Sequence, residues 1–213
     1  MIIEDNGIRY ESIRAISNGL KVNKVLIKLS LPDNDIGNKE MKLIGEALEI
    51  NKSLEVLNLA YSKVWIESGR RIYKVLKSNI IFAELEDELE YKGVETISEP
   101  SIHNKSLRHL KVHYNRIKNE VKTVDRMLKL NKTLINLYLS SNTMKHEGTI
   151  AITERLIYNR NIAQLELNAN KIGKEGTKAF VKLFKVDEIL IDPNFYCNGI
   201  ECKMEDSLKK VEK

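Results

Sequence analysis

The amino-acid sequence predicts an α/β fold made by stacking short units, each a strand, a turn and a helix that packs back on the strand. Three observations carry this expectation. A pattern LxxLxLxxN recurs along the chain, the hydrophobic spacing inside each recurrence switches from alternate to helical, and a second asparagine opens most recurrences.

The frame is clearest at Leu134, Leu137, Leu139 and Asn142, and again at Ile162, Leu165, Leu167 and Asn170. It returns as Leu26, Leu29, Leu31 and Asn34; as Leu54, Leu57, Leu59 and Ser62; and as Leu107, Leu110, Val112 and Asn115. The last copy reads Val186, Ile189, Ile191 and Asn194, and one period before Asn34 lies Asn6, preceded by Ile3. Frame positions 6, 34, 62, 90, 115, 142, 170 and 194 are separated by 28, 28, 28, 25, 27, 28 and 24 residues. A repeat array spreads its core along an axis, so a single elongated domain, 1–213, is expected.

Alternate apolar positions at the start of each unit are those of a short strand. Ten and fourteen residues after the frame position come Ile16 and Leu20, Ile44 and Leu48, Ile72 and Leu76, Ile152 and Leu156, and Phe180 and Phe184. A separation of four places each pair on one helical face, and a helix is the usual crossover between parallel strands.

Asn23, Asn51, Asn79, Asn104, Asn131 and Asn159 stand three residues before the first apolar position. Their side chains suit the tight return from helix to strand. Three of them begin NKS or NKT, the glycosylation sequon, but the architecture alone calls for these residues at that turn.

The frame, with Asn142 and Gly148, Asn170-Lys-Ile172-Gly173-Lys-Glu-Gly176 and Asn34-Asp-Ile36-Gly37, resembles the leucine-rich repeats of the ribonuclease-inhibitor-like subclass over essentially the whole chain. The resemblance implies a leucine-rich-repeat solenoid, a horseshoe of about seven to eight units of roughly 28 residues. Its parallel β-sheet would be concave and its helices convex. The frame asparagine would bond backbone groups between successive turns, Ser62 partly substituting and Glu90 departing from the pattern. Met1 lies inside a strand and Lys213 follows a plausible helix from Cys202 to Val211, with no obvious cap at either end; a segment of a longer protein is one reading.

One unit breaks the pattern. Around Glu90 the frame gives Phe82, Leu85 and then Asp87 where an inward apolar residue belongs, and Pro100 falls in the following helix. An unpaired buried carboxylate is costly, so a register slip or bulge and irregular structure from Glu84 to Ile102 are expected.

Residues six, four and two before the frame position point out of the sheet. Successive rows read Glu84, Glu86, Glu88; His109, Lys111, His113; Asn136, Tyr138, Ser140; Gln164, Glu166, Asn168; and Glu188, Leu190, Asp192. In this register Glu84 faces His109, Glu86 faces Lys111 and Glu88 faces His113. Cross-strand ion pairs, a partner-binding surface and a metal site are three readings of that patch. The partner-binding candidates are Glu84, Glu86, Glu88, His109, Lys111, His113, Tyr114, Asn136, Tyr138 and Glu166. Tyr61 is a further interface candidate, Trp65 is expected under a helix start, and His103 and His146 are expected in exposed turns.

Other chemistry is not indicated. HExxH, GxxxxGK[ST], GxSxG and GxGxxG are absent, and the glycines of NKIGKEG are explained by a helix start. Cys197 and Cys202 read as free thiols of a reducing cytosol. No apolar run is long enough to span a bilayer and no secretion signal opens the chain. Net charge is +5, and basic residues scatter among acids rather than forming a nucleic-acid footprint. The expectation is a cytoplasmic, non-catalytic scaffold without cofactor, metal, nucleic-acid or membrane partner, binding a protein on its concave face. A GTPase-activating protein of the leucine-rich-repeat type, or the recognition segment of a larger receptor or pathogen effector, are the alternatives.

Overall fold

In the computed structural model the described residues are 1–62, 82–84, 98, 101–115, 117, 122–186, 189–190, 192–196 and 198–199. They form a parallel sheet of seven strands in chain order: β1 (Lys28–Ser30), β2 (Val56–Asn58), β3 (Phe82–Glu84), β4 (His109–Lys111), β5 (Asn136–Tyr138), β6 (Gln164–Glu166) and β7 (Asp192–Asn194). Ile2 adds a parallel bridge to Ser30 outside β1. The helices with described bounds are α1 (Tyr10–Val22), α2 (Asn38–Ile50), α3 (Lys122–Leu130), α4 (Lys145–Leu156) and α5 (Gly173–Phe184). None among the described residues is long and apolar enough to cross a membrane.

Pairing runs without stagger. Lys28, Val56, Phe82, His109, Asn136, Gln164 and Asp192 stand in one row across the sheet. Because side chains alternate, Leu29, Leu57, Leu110, Leu137 and Leu165 all point to the helix side, where they are buried with Leu20, Ile44, Leu48, Ile152, Leu156 and Phe180. Each unit alone leaves this face bare, and stacking covers it.

Two asparagine ladders satisfy the turns. The Oδ1 of Asn170 accepts the N–H groups of Asn142 and Met144, while its amide nitrogen donates to the carbonyls of Leu139, Leu167 and Asn168. Ser141, Thr143 and Lys145 have φ of 58°, 53° and 56°, with Met144 right-handed between the last two, and the amides of Asn142 and Met144 converge on one oxygen. Asn34 does the same for Asn6 and Ile8, and Asn142 receives Asn115 N–H. At Ser62 the hydroxyl reaches only Leu31 O, at 3.4 Å. On the other edge the Oδ1 of Asn51, Asn104, Asn131 and Asn159 each takes the N–H groups two and three residues ahead. Asn51, Asn104 and Asn131 are 2%, 5% and 3% exposed, so these sequon asparagines are turn residues, closed to modification in the folded chain.

Two expectations about register are corrected. Ala83, not Leu85, pairs with Leu57 and Leu110, so the frame of the irregular unit starts two residues earlier than counted and no longer calls for an apolar residue at Asp87. The strand Phe82–Glu84 is regular and Ser98 and Ser101–His103 are helical; Glu86, Glu88, Glu90, Trp65 and the Cys202–Val211 segment lie outside the described residues. In the last unit Asn198, 28 residues after Asn170, takes the frame position: its Oδ1 accepts Asn170 N–H and its amide donates to Leu167, Phe195 and Tyr196 carbonyls. Asn194 instead sits on the strand opposite Glu166. Pro193, unusual in a strand, hid the true frame, in which Leu190 is buried and Phe195 packs on Phe180 at 4.5 Å between ring centroids.

Candidate functional site

The sheet face turned away from the helices carries the polar rows. Where β4, β5 and β6 lie side by side, the first row is His109, Asn136 and Gln164, and the second is Lys111, Tyr138 and Glu166. Beyond the strand ends His113, Ser140 and Asn168 continue the pattern, so the outward set read from the sequence is reproduced here.

Tyr138 is the centre of the cluster. Its hydroxyl donates to Gln164 Oε1 at 2.8 Å and accepts from Asn136 Nδ2 at 3.0 Å, while Asn136 Nδ2 also reaches Gln164 Oε1 at 2.7 Å. Lys111 Nζ lies 5.6 Å from the centre of the Tyr138 ring, within cation–π range. The His113 ring is 6.1 Å from it on another side. The phenol is therefore clamped between a cation, an imidazole and two amides, with its rotamer fixed before any partner arrives.

His113 Nδ1 accepts the backbone N–H of Ser140 at 3.1 Å, and Ser140 Oγ donates to Glu166 Oε1 at 2.6 Å. Glu166 Oε1 is also 4.0 Å from His113 Nδ1, but a nitrogen engaged as acceptor carries no proton to share, so the short hydroxyl bond is the one that orients the carboxylate. Asn168 Nδ2 reaches the same oxygen at 3.4 Å, and its Oδ1 accepts Tyr196 N–H at 2.7 Å. Although a serine, a histidine and a glutamate meet here, the imidazole faces the serine backbone and the hydroxyl is spent on the carboxylate, which is not the arrangement of an activated nucleophile.

His109 sits on the same face with its imidazole pKa held below the ordinary value, first by burial and then by the neighbouring Arg108 cation. Arg108 is anchored through its guanidinium to the carbonyls of Lys105 and Thr133. Tyr114 follows β4 at φ 58° and is 51% exposed; Tyr61 follows β2 at φ 54° and is 45% exposed.

The predicted acid-to-base pairing is corrected. Glu84 stands opposite Lys111, and Phe82 opposite His109, because of the two-residue shift in β3. Glu86 and Glu88 lie outside the described residues. Among the described residues no three His, Cys, Asp or Glu side chains converge as metal ligands. His103 and His146 are exposed as expected, though both are helical rather than in turns, His146 lying 3.5 Å from Glu147. The predicted outward residue Leu190 is buried, and Asp192 moves to the row of Gln164. Sequence reasoning had left Gln164, Ser140 and Asn168 out of the candidate set. The signal was present, since Asn136 and Gln164 are amides 28 residues apart and hence cross-strand neighbours.

No protein-family model and no curated protein sequence matches the chain. Solved structures do. The C-terminal domain of Caenorhabditis elegans tropomodulin superposes with a TM-score of 0.58 at 17% identity, covering 69% of this chain and 92% of that one. Actin-binding site 2 of leiomodin-1 superposes with a TM-score of 0.41 at 16% identity, covering 96% and 88%. The first is a likeness of fold, and the second is too loose to carry an argument. The tropomodulin likeness overturns the ribonuclease-inhibitor-like assignment: that domain is leucine-rich-repeat-like but outside that subclass. The physical reason is that a frame asparagine filling a backbone concavity is demanded by any strand–turn–helix stack of this pitch, so the motif reports architecture and not subclass.

Proposed function

We propose that the chain is a non-catalytic protein-binding module, one repeat domain over 1–213, which takes its partner on the sheet face of β4 to β6. In this reading the stack curves as a horseshoe of seven to eight units with that face concave, and the protein works in the cytoplasm. The observation that carries the reading is the pre-set network around Tyr138. A phenol held by Asn136, Gln164 and Lys111, with exposed Tyr114 just after β4, offers contact area at little further entropic cost. The tropomodulin likeness is one of fold and names no partner. Glu84, opposite Lys111, would extend the surface on one side and Glu166 on the other, while Glu86 and Glu88 lie outside the described residues.

The test is affinity capture by the whole chain compared with a Tyr114→Ala/Tyr138→Ala/Glu166→Gln variant, followed by titration of the captured protein as a purified partner, with actin as one defined arm. A partner whose affinity falls at least tenfold in the variant supports the sheet face. Equal affinity for both proteins places binding elsewhere. GTP turnover by a purified GTPase, unchanged by added protein, is the expected outcome for a module without activating function.

A further inference from the structure

The second surface is the edge where helices end and strands begin. At four of its turns, those of Asn23, Asn51, Asn131 and Asn159, the asparagine is flanked by two exposed residues, an apolar one before it and a cation after it; the turn at Asn79 lies outside the described residues. The apolar members are Val22, Ile50, Leu130 and Tyr158, between 44% and 76% exposed, whereas before Asn104 the exposed residue is His103; Val186, one period after Tyr158, is 52% exposed. The cations are Lys24, Lys52, Lys105, Lys132 and Arg160, all exposed. Ile27 and Ile135, at the entry to β1 and β5, add to the same edge at 48% and 39% exposure. Leaving one large apolar side chain in water at turn after turn is costly for a surface that meets only solvent.

The strands pair without stagger, so these turns are level with one another. The edge is consequently a repeating row of apolar residues and cations, a pattern suited to an extended surface and not to a pocket-filling partner. Between α3 and α4 it also holds a cavity of about 160 Å³ lined by Leu128, Lys129, Lys132, Arg155, Tyr158 and Asn159. Lys132 Nζ uses one donor on Lys129 O and Arg155 bonds Asp125, yet an ammonium has three donors and a guanidinium five. Glu49 and Glu55 are exposed acids near the second turn, so the charge is mixed there and basic at the turns around Lys105, Lys132 and Arg160.

We propose that this edge docks on an anionic lipid surface, the apolar side chains entering the headgroup region and the turn cations meeting lipid phosphates and carboxylates. Tyrosine and aliphatic side chains beside Lys and Arg are the composition such an interface requires. The contact is peripheral and independent of the sheet-face reading, since the two surfaces share no residue. It modifies the expectation of a chain with no membrane partner.

Co-sedimentation of the whole chain with phosphatidylcholine vesicles, with and without phosphatidylserine, tests it. The expected result is pelleting with the serine-containing vesicles alone, falling as salt is raised. Lys24→Glu/Lys52→Glu/Lys132→Glu should weaken it by at least about a hundredfold, from about fivefold per cation at such a surface. Ile50→Gln/Leu130→Gln/Tyr158→Gln, which leaves net charge unchanged, should also release the protein, whereas Tyr138→Ala should bind as the wild type does. Circular dichroism checks that each variant is folded, and the two triple variants remove different interactions. Absence of pelleting, equal pelleting on phosphatidylcholine alone, or wild-type binding by both folded triple variants would overturn the proposal. So would binding to polyglutamate without binding to vesicles, which would assign the edge to an acidic protein.

Discussion

The imidazole of His113 receives the backbone N–H of Ser140 on Nδ1 at 3.1 Å, joining the end of β4 to the end of β5 through one side chain. A nitrogen that accepts cannot carry a proton, so the neutral ring must hold its proton on Nε2. Long-range nitrogen–proton correlation spectra of the folded protein at a pH where His113 is neutral should show the Nε2–H tautomer. Observation of the Nδ1–H form would remove this link, and with it the reason for the fixed orientation of the ring against Tyr138.

Asn170 is expected to be among the most sensitive positions. It is fully buried, and its one side chain satisfies two backbone N–H donors of the neighbouring turn and three backbone carbonyl acceptors. Asn170→Ala leaves these groups buried and unpaired, at a cost of about 3 to 4 kcal/mol. Asn6→Ala should cost under about 0.5 kcal/mol, because Asn6 is exposed and its side chain donates to exposed Glu4 O. Urea unfolding of both variants provides the comparison, and similar losses for the two would contradict the ladder argument.

At Gly176 helix α5 packs against Thr149 of α4. A Cβ built there would lie 2.5 Å from Ile172 Cγ2 and 3.2 Å from Thr149 Cβ and Cγ2. Ile172 and Thr149 are both β-branched and buried, so neither can turn aside cheaply. Gly176→Ala should therefore destabilise by about 1 to 3 kcal/mol, despite the better helix propensity of alanine. A thermal melt at or above the wild-type temperature would show that the helices can separate.

His109 gives a pH dependence with a defined sign. Its folded pKa is lowered by burial first and by Arg108 second. The unfolded chain therefore binds more protons than the folded one below about 6.5, and stability contributed by the neutral ring is present above that pH and lost as pH falls toward the folded pKa. His109→Gln should flatten the decline in stability between neutral and mildly acidic pH. Arg108→Gln should raise the His109 titration midpoint only in part, since burial is the larger cause; a midpoint at or above the ordinary histidine value in the wild type would reverse the sign.

What was legible in the sequence and what was not divide along physical lines. Leu29, Leu57, Leu137 and Leu165 announced the buried face because strand alternation leaves no freedom about which side is covered, and the same alternation put Lys111, Tyr138 and Glu166 on the opposite face. Asn142 and Asn170 were legible because the turn backbone demands an amide there. The shift at β3 was not, since Ala83 is a weak inward residue while Leu85 looked a better one, and single-strand reading cannot see which of two registers its neighbours Leu57 and Leu110 select. Pro193 concealed Asn198 for the same reason: a proline argues against a strand until the pairing with Leu165 is seen. The network of Tyr138 with Gln164 depended on side-chain reach across strands, which residue spacing permits but does not specify.

Tyr114 tests whether the sheet face is shaped for binding at a cost in stability. It occupies a left-handed position at φ 58° where other units place Asp33, Tyr61, Ser141 or Ala169, and a bulky aromatic is disfavoured in that region. Its ring is 51% exposed, so packing offsets little of the strain. Asparagine tolerates the conformation better, and Tyr114→Asn should raise stability by about 0.5 to 1 kcal/mol in urea unfolding. The same substitution removes an exposed aromatic ring next to β4 and should weaken binding of the sheet-face partner. A variant that gains stability and keeps full affinity would show the tyrosine to be neutral drift, whereas a gain in stability matched by a loss of affinity identifies Tyr114 as a residue kept for contact.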